Sequence, residues 1–154
     1  MSLDAVKKYF SEYKMDHRIM VLKVSTATVE EAAKAHCVDP GQIGKTLSFK
    51  IDDKPILIVV AGKAQIDNKK YKSQFLKKAK MLNYEEAIEH TGHAIGGICP
   101  FGLKRRIDVF LDVSLKKYPE IIPAAGDQNS AIRLTIEELE KHSNYVDWVD
   151  VCKY

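Results

Sequence analysis

The chain holds 154 residues, 45% hydrophobic and 29% charged, enough for one domain with a substantial core and a formal net charge of only +3. No stretch approaches the roughly 18 apolar residues of a membrane helix, and the opening MSLDAVKKYF lacks a signal-peptide hydrophobic segment. Three cysteines (Cys37, Cys99 and Cys152) without a Cys-x-x-Cys spacing give neither a disulfide framework nor a structural zinc site. The expectation is a single cytoplasmic domain spanning residues 1–154, with no cofactor and no metal.

In chain order, residues 2–14 read as an amphipathic helix carrying Leu3, Val6, Phe10 and Tyr13 on one face. A strand follows over 18–24. Thr28 and Glu31 form a capping box for a short helix to about His36, ended by Pro40-Gly41. Residues 44–51 alternate as a strand, which puts Lys45 on the face of Leu47, Phe49 and Ile51. Asp52-Asp53-Lys54-Pro55 turns the chain into the nearly all-apolar, hence central, strand 55–62. The periodicity predicts a helix over 68–79 with Tyr71, Phe75 and Leu76 inward, and Asn83 caps another over 84–90. After the Gly92–Gly102 loop come a strand over 106–113 and a strand pair, 120–125 with 131–134, around Gly126-Asp127-Gln128-Asn129. A helix capped by Thr135 and Glu138 then leads to a closing strand over 145–151. About seven strands and five short helices, with strands often consecutive, predict an α+β fold with a mixed, strongly curved, barrel-like sheet.

Two features carry chemistry. Gly96-Gly97-Ile98-Cys99-Pro100-Phe101-Gly102 packs three glycines and a proline into seven residues, a composition that lets main-chain N–H groups approach one ligand oxygen; a purely structural turn is the alternative. Lys45, at the end of an apolar strand face, is placed to point its amine into a cleft as a point charge; a solvated surface lysine is the alternative. Cys99 with His93 six residues away suggests a thiol nucleophile and base, against a packed, inert cysteine. His90-x-x-His93 lacks a third metal ligand. Charge is segregated: seven lysines lie between Lys63 and Lys80 against the single acid Asp67, and Lys104-Arg105-Arg106 follows the glycine loop. That pattern suits an extended anionic partner.

Thr28-Val-Glu-Glu-Ala-Ala33, Gly44-Lys45-Thr46-Leu, Leu57-Ile-Val-Val-Ala-Gly62, Thr91-Gly92-His93-x-x-Gly96-Gly97-x-x-Pro100-Phe101-Gly102 and Ala124-Ala125-Gly126 resemble, nearly end to end, the YbaK/EbsC-type prolyl-tRNA synthetase-associated editing domains. The resemblance implies the fold of that family and a trans-editing aminoacyl-tRNA deacylase that hydrolyses the ester of a mischarged small amino acid. It implies that backbone amides around Gly96, Gly97, Pro100 and Gly102 hold the carbonyl, that Lys45 positions the substrate, and that water is the nucleophile. Thr46, His93, Ile98, Cys99, Phe101, Gly126, Asn129 and Ser130 would contact the substrate. Lys63, Lys69, Lys70, Lys72, Lys104, Arg105 and Arg106 would contact acceptor-end phosphates. The implied partners are charged tRNA and an aminoacyl-tRNA synthetase, with no DNA and no membrane. Relatives acting on cysteinyl-tRNA carry an acidic residue where this chain has Ala131, which disfavours cysteine. The alternatives are a non-catalytic tRNA- or synthetase-binding module and a Cys99/His93 thiol hydrolase.

Overall fold

The computed structural model describes residues 2–154. Helix α1 (Ser2–Ser11) buries Val6 and Phe10 and leads to β1 (Ile19–Val21). Helix α2 (Val29–His36) starts on the Thr28–Glu31 capping box, with both reciprocal bonds made. Strands β2 (Ile43–Ile51) and β3 (Lys54–Ala61) form a hairpin whose two turn residues, Asp52 and Asp53, both have positive φ. That conformation matches the right-handed twist of the flanking strands. Then come β4 (Gln65–Ile66), α3 (Asn68–Phe75), α4 (Tyr84–Thr91), β5 (Asp108–Asp112), β6 (Glu120–Pro123), β7 (Ser130–Ile132), β8 (Leu134–Thr135), α5 (Ile136–Ser143), β9 (Tyr145–Val149) and β10 (Cys152–Lys153). None of these helices is long and apolar enough to cross a membrane.

The main sheet has the order β8-β6-β2-β3-β5-β9 and curves into a half-barrel, giving the mixed α+β architecture. β2–β3 and β6–β8 are antiparallel, while β2–β6, β3–β5 and β5–β9 are parallel. A register shift at Val109/Phe110 on the β5–β9 seam adds local twist. Two small ribbons, β1–β7 and β4–β10, flank the sheet. As the apolar run predicts, β3 is central: Leu57, Ile58, Val59 and Val60 have no exposed surface. Each such side chain contributes about 1.5–3 kcal/mol of burial free energy.

Several expectations are corrected. The first helix stops at Ser11, and Tyr13 lies in the turn beyond it. The strand over 18–24 shrinks to Ile19–Val21. Helix α3 ends at Phe75 because Leu76 takes the left-handed conformation and caps it, its N–H on the Lys72 carbonyl; Leu76 is 80% exposed, not inward. Residues 120–125 and 131–134 meet through a bridge at Ala124/Ala131, while β6 pairs with β2 and β8, and β7 with β1.

Two carboxylates tie distant segments together. The fully buried Asp112 carboxylate accepts N–H bonds from Ser114 (2.9 Å) and Val151 (2.8 Å), anchoring the segment that enters β10. Arg18 grips Glu138 with both guanidinium nitrogens and donates to the Arg133 carbonyl at 2.7 Å. That hydrogen bond to Arg18, aided by the Thr135 N–H, pulls the Glu138 carboxyl down to about 2.

An unfolded glutamate titrates near 4.3, so this contact stabilises the fold fully above that pH and is lost as the pH falls toward 2. With both side chains about a third exposed (32% and 29%), solvent screening limits its worth to about 1–2 kcal/mol. Glu138→Gln is therefore expected to lower stability by about that amount at pH 7. Urea midpoints of wild type and variant should converge between pH 4 and pH 2; a gap that persists at pH 2 would refute the assignment.

Candidate active site

One cleft of about 220 Å³ lies against the outer edge of β2. Gly44, Lys45, Thr46 and Ser48 form its floor, and Gly96 and Ile98 of the glycine loop overhang it. Further walls come from Thr26, Thr28, Ala32 and His36 of the α2 region, from Met81 and Leu82, and from Ala124, Ser130 and Ala131. Alanines and glycines keep this space open, and hydroxyls supply most of its polarity. No carboxylate lines it, and Lys45 contributes a positive charge. Burial, then the charge of Arg133, pushes the His36 imidazole toward its neutral form.

Lys45 is half-buried, pairs across the sheet with Val60, and donates its amine to the Ala64 carbonyl at 3.0 Å. The charge is thus held beside the cleft by a backbone acceptor, with no carboxylate bound to it. In the glycine loop, Gly96 has φ +95° and a Cβ there would come within 3.1 Å of Ala27, so the loop and the α2 entry close on one another. Gly97 rests on the Gly126–Asp127 turn, where a Cβ would meet the Asp127 nitrogen at 2.4 Å. Gly97 spends its N–H on the Ala94 carbonyl (2.9 Å), whereas the N–H groups of Gly96 and Ile98 meet no acceptor among the described residues.

His93, Cys99 and Phe101 lie beneath the loop with no exposed surface. His93 Nε2 is 2.8 Å from the Phe101 carbonyl, and Cys99 Sγ is 3.6 Å from both that oxygen and Nε2. Burial holds His93 toward its neutral form, so Nε2–H donates to Phe101, and burial pushes the Cys99 thiol up to about 12. A protonated, inaccessible thiol is no nucleophile. Cys99 and His93 do meet, as packing that pins the loop from below, together with Phe101 against Phe10 at 4.9 Å.

The other sequence candidates separate. Pro100 and Gly102 border a different, shallow groove with Tyr9 and Lys104-Arg105-Arg106. Gly126 is buried, and Ser2 Oγ bonds its carbonyl. Asn129 Nδ2 donates to Leu22 O at 2.7 Å and holds the β1 side of the turn. Lys63, Lys69, Lys70, Lys72, Lys104, Arg105 and Arg106 are exposed and outside the cleft. Lys63 pairs with Asp39, Lys70 with Asp150, and Arg105 with Glu89. Among the described residues no three His, Cys, Asp or Glu side chains gather as a metal would require. Sequence reasoning missed the contributions of α2, Met81 and Leu82, which reach the cleft only through tertiary packing.

With that cleft and half-barrel in place, comparison with known proteins gives the class. The family model for the aminoacyl-tRNA editing domain matches residues 23–142, and the chain belongs to that family. It is 47% identical to the uncharacterized protein YwhH of Bacillus subtilis strain 168, covering 99% of this chain and 98% of that protein. Identity to the candidate Cys-tRNA(Pro)/Cys-tRNA(Cys) deacylase EbsC of Enterococcus faecalis is 30%, covering 76% of this chain and 73% of that one. The proline--tRNA ligase of Streptococcus mutans matches at 27% identity over 93% of this chain, which spans 24% of the ligase. A crystal structure of a candidate trans-editing enzyme for prolyl tRNA synthetase superposes with a TM-score of 0.89 at 30% identity, covering 99% and 98% of the two chains.

Proposed function

We propose that the protein is a trans-editing aminoacyl-tRNA deacylase that removes a mischarged small amino acid from tRNA. The observation that carries this reading is the convergence of Lys45, Thr46, Gly96, Ile98 and Ser130 on one small cleft without a carboxylate. Water adds to the ester carbonyl carbon, and the new C–O bond forms as charge collects on the carbonyl oxygen. The bond to the ribose oxygen then breaks and a proton passes to that oxygen, giving free amino acid and tRNA. The unpartnered N–H groups of Gly96 and Ile98 supply the dipoles that favour the oxyanion. Lys45 steadies the terminal nucleotide or the ester.

The acceptor end of charged tRNA is the partner for the exposed Lys63–Lys80 and Lys104–Arg106 groups, through salt-sensitive phosphate contacts. Likeness to a segment of proline--tRNA ligases supports action beside a synthetase. Ala131 and its bridge partner Ala124, both in the cleft wall, favour a small side chain.

The test is single-turnover deacylation of alanyl-, seryl-, cysteinyl-, threonyl- and prolyl-tRNA. Hydrolysis of one or two members supports the reading, and flat traces across the panel replace it with a tRNA-binding module. Cys99→Ala is expected to keep turnover within about threefold of wild type and to cost about 1 kcal/mol of stability, because the thiol only fills space. Total loss of activity in a folded Cys99→Ala protein would restore the thiol mechanism.

A further inference from the structure

The cleft is a length of sheet edge left without a strand. β6 pairs with β2 only at Ile43 and Gly44. At the far end residues 80–82 take up the same edge: Leu82 N–H donates to Ser48 O (3.1 Å), Lys50 N–H donates to Lys80 O (2.9 Å), and Phe49 stands opposite Met81. Even-numbered residues of β2 therefore present their peptide groups outward, while odd-numbered ones face β3, as strand alternation requires. Thr46 falls in the gap. Its N–H and C=O have no partner among the described residues, and its buried hydroxyl has none either. Ile122 and Ala124 line one bank of the opening, and Met81 and Leu82 the other.

An extended amino-acid residue presents its own nitrogen and carbonyl oxygen to the same side, which is how two facing residues in an antiparallel sheet exchange a pair of hydrogen bonds. An aminoacyl ester ends in the same two groups. The geometry points to Thr46 as the main-chain reader of the aminoacyl group, which adds to the β2 edge as a single residue. The α-ammonium donates to the Thr46 carbonyl, and the ester carbonyl accepts from the Thr46 N–H. This deepens the deacylase reading and rests on it.

The mode is strand addition reduced to one unit. It recognises the invariant part of every aminoacyl ester, independent of the side chain. With no carboxylate in the cleft, the amine is held by a carbonyl dipole, so no fixed negative charge opposes the oxyanion. The bond from the Thr46 N–H strengthens as charge develops on the carbonyl oxygen, which makes Thr46 a contributor to the reaction and not only to binding.

The test compares the panel's best substrate with its desamino counterpart on the same tRNA: propionyl for alanyl, 3-hydroxypropionyl for seryl. Each enzymatic rate is divided by the uncatalysed hydrolysis of the same ester. The acceleration is expected to fall about tenfold to a hundredfold without the amine, the worth of one hydrogen bond to a charged group. Equal acceleration overturns the inference. A second protein, with the Thr46 peptide N–H replaced by an ester oxygen through α-hydroxy-acid incorporation, should lose about tenfold in kcat with only a small fall in Tm, since that N–H has no partner in the fold and the sole weakened bond is the one accepted by the Lys45 carbonyl from β3. Unimpaired turnover in the folded ester protein would also overturn it. Failure to hydrolyse any charged tRNA would instead remove the deacylase reading itself, so the two failures are distinguishable.

Discussion

Lys45→Ala is expected to lower kcat/KM for the preferred charged tRNA by about a hundredfold or more while leaving the fold intact. The amine's hydrogen bond goes to the carbonyl of buried Ala64, a neutral acceptor, so no ion pair is broken when it is removed. What disappears is the positive charge of the one cationic residue among walls made otherwise of hydroxyls, apolar groups and a neutral imidazole. In such a setting a single point charge near the ester is worth several times its value in water. Lys45→Arg should not restore activity, because the longer planar guanidinium cannot sit where the compact ammonium does. Single-turnover rates beside thermal melts decide the matter. Near-normal turnover in Lys45→Ala would end the assignment of this residue to the reaction.

The largest loss of stability is expected at Asp112. Its carboxylate has no exposed surface and accepts from two main-chain N–H groups, one of them on Val151. Burial, reinforced by its negative charge, pushes the Cys152 thiol up to about 12. Asp112→Asn keeps the shape but turns an amide NH₂ toward one of these donors. A buried group left facing another donor costs about 2–4 kcal/mol, equivalent to a fall in Tm of about 6–12 °C for a chain of this length. The damage should centre on the β4–β10 ribbon, because Val151 N–H fixes the approach to β10 and Val151 O accepts from Asp67 at the head of α3. Calorimetry measures the effect, and a shift below about 2 °C would contradict the structural role given to Asp112.

Local chemistry was readable in advance, and long-range chemistry was not. The Thr28–Glu31 and Thr135–Glu138 boxes and the Asn83 cap are set by side chains three residues apart, and the structure forms each of them. The apolar run of β3 declares its central position because a strand buried on both faces needs no polar alternation. Leu76 misled because Leu-Lys-Lys continues a helical period, whereas a left-handed C-cap is a tertiary choice. The two-residue strands β4, β8 and β10 carry too few side chains to show a period at all. At the site, Lys45 and Gly96–Gly102 stand out by residue type. The burial of His93 and Cys99, the divergence of Pro100 and Gly102 into another groove, and the gap beside Thr46 depend on where separate segments stop along one edge. No spacing in the chain encodes those stopping points.

The order of the main sheet carries a kinetic consequence. β2 and β3 are joined by a two-residue turn, but β3 reaches β5, and β2 reaches β6, only after crossovers of dozens of residues. Loop closure makes the hairpin the cheapest pairing to form first. The strand that carries Lys45 and Thr46 is therefore the natural folding nucleus, and the walls of the cleft are late arrivals docked against it. Selection on that strand acts on two properties together, how fast the chain finds its fold and what the finished edge is able to hold.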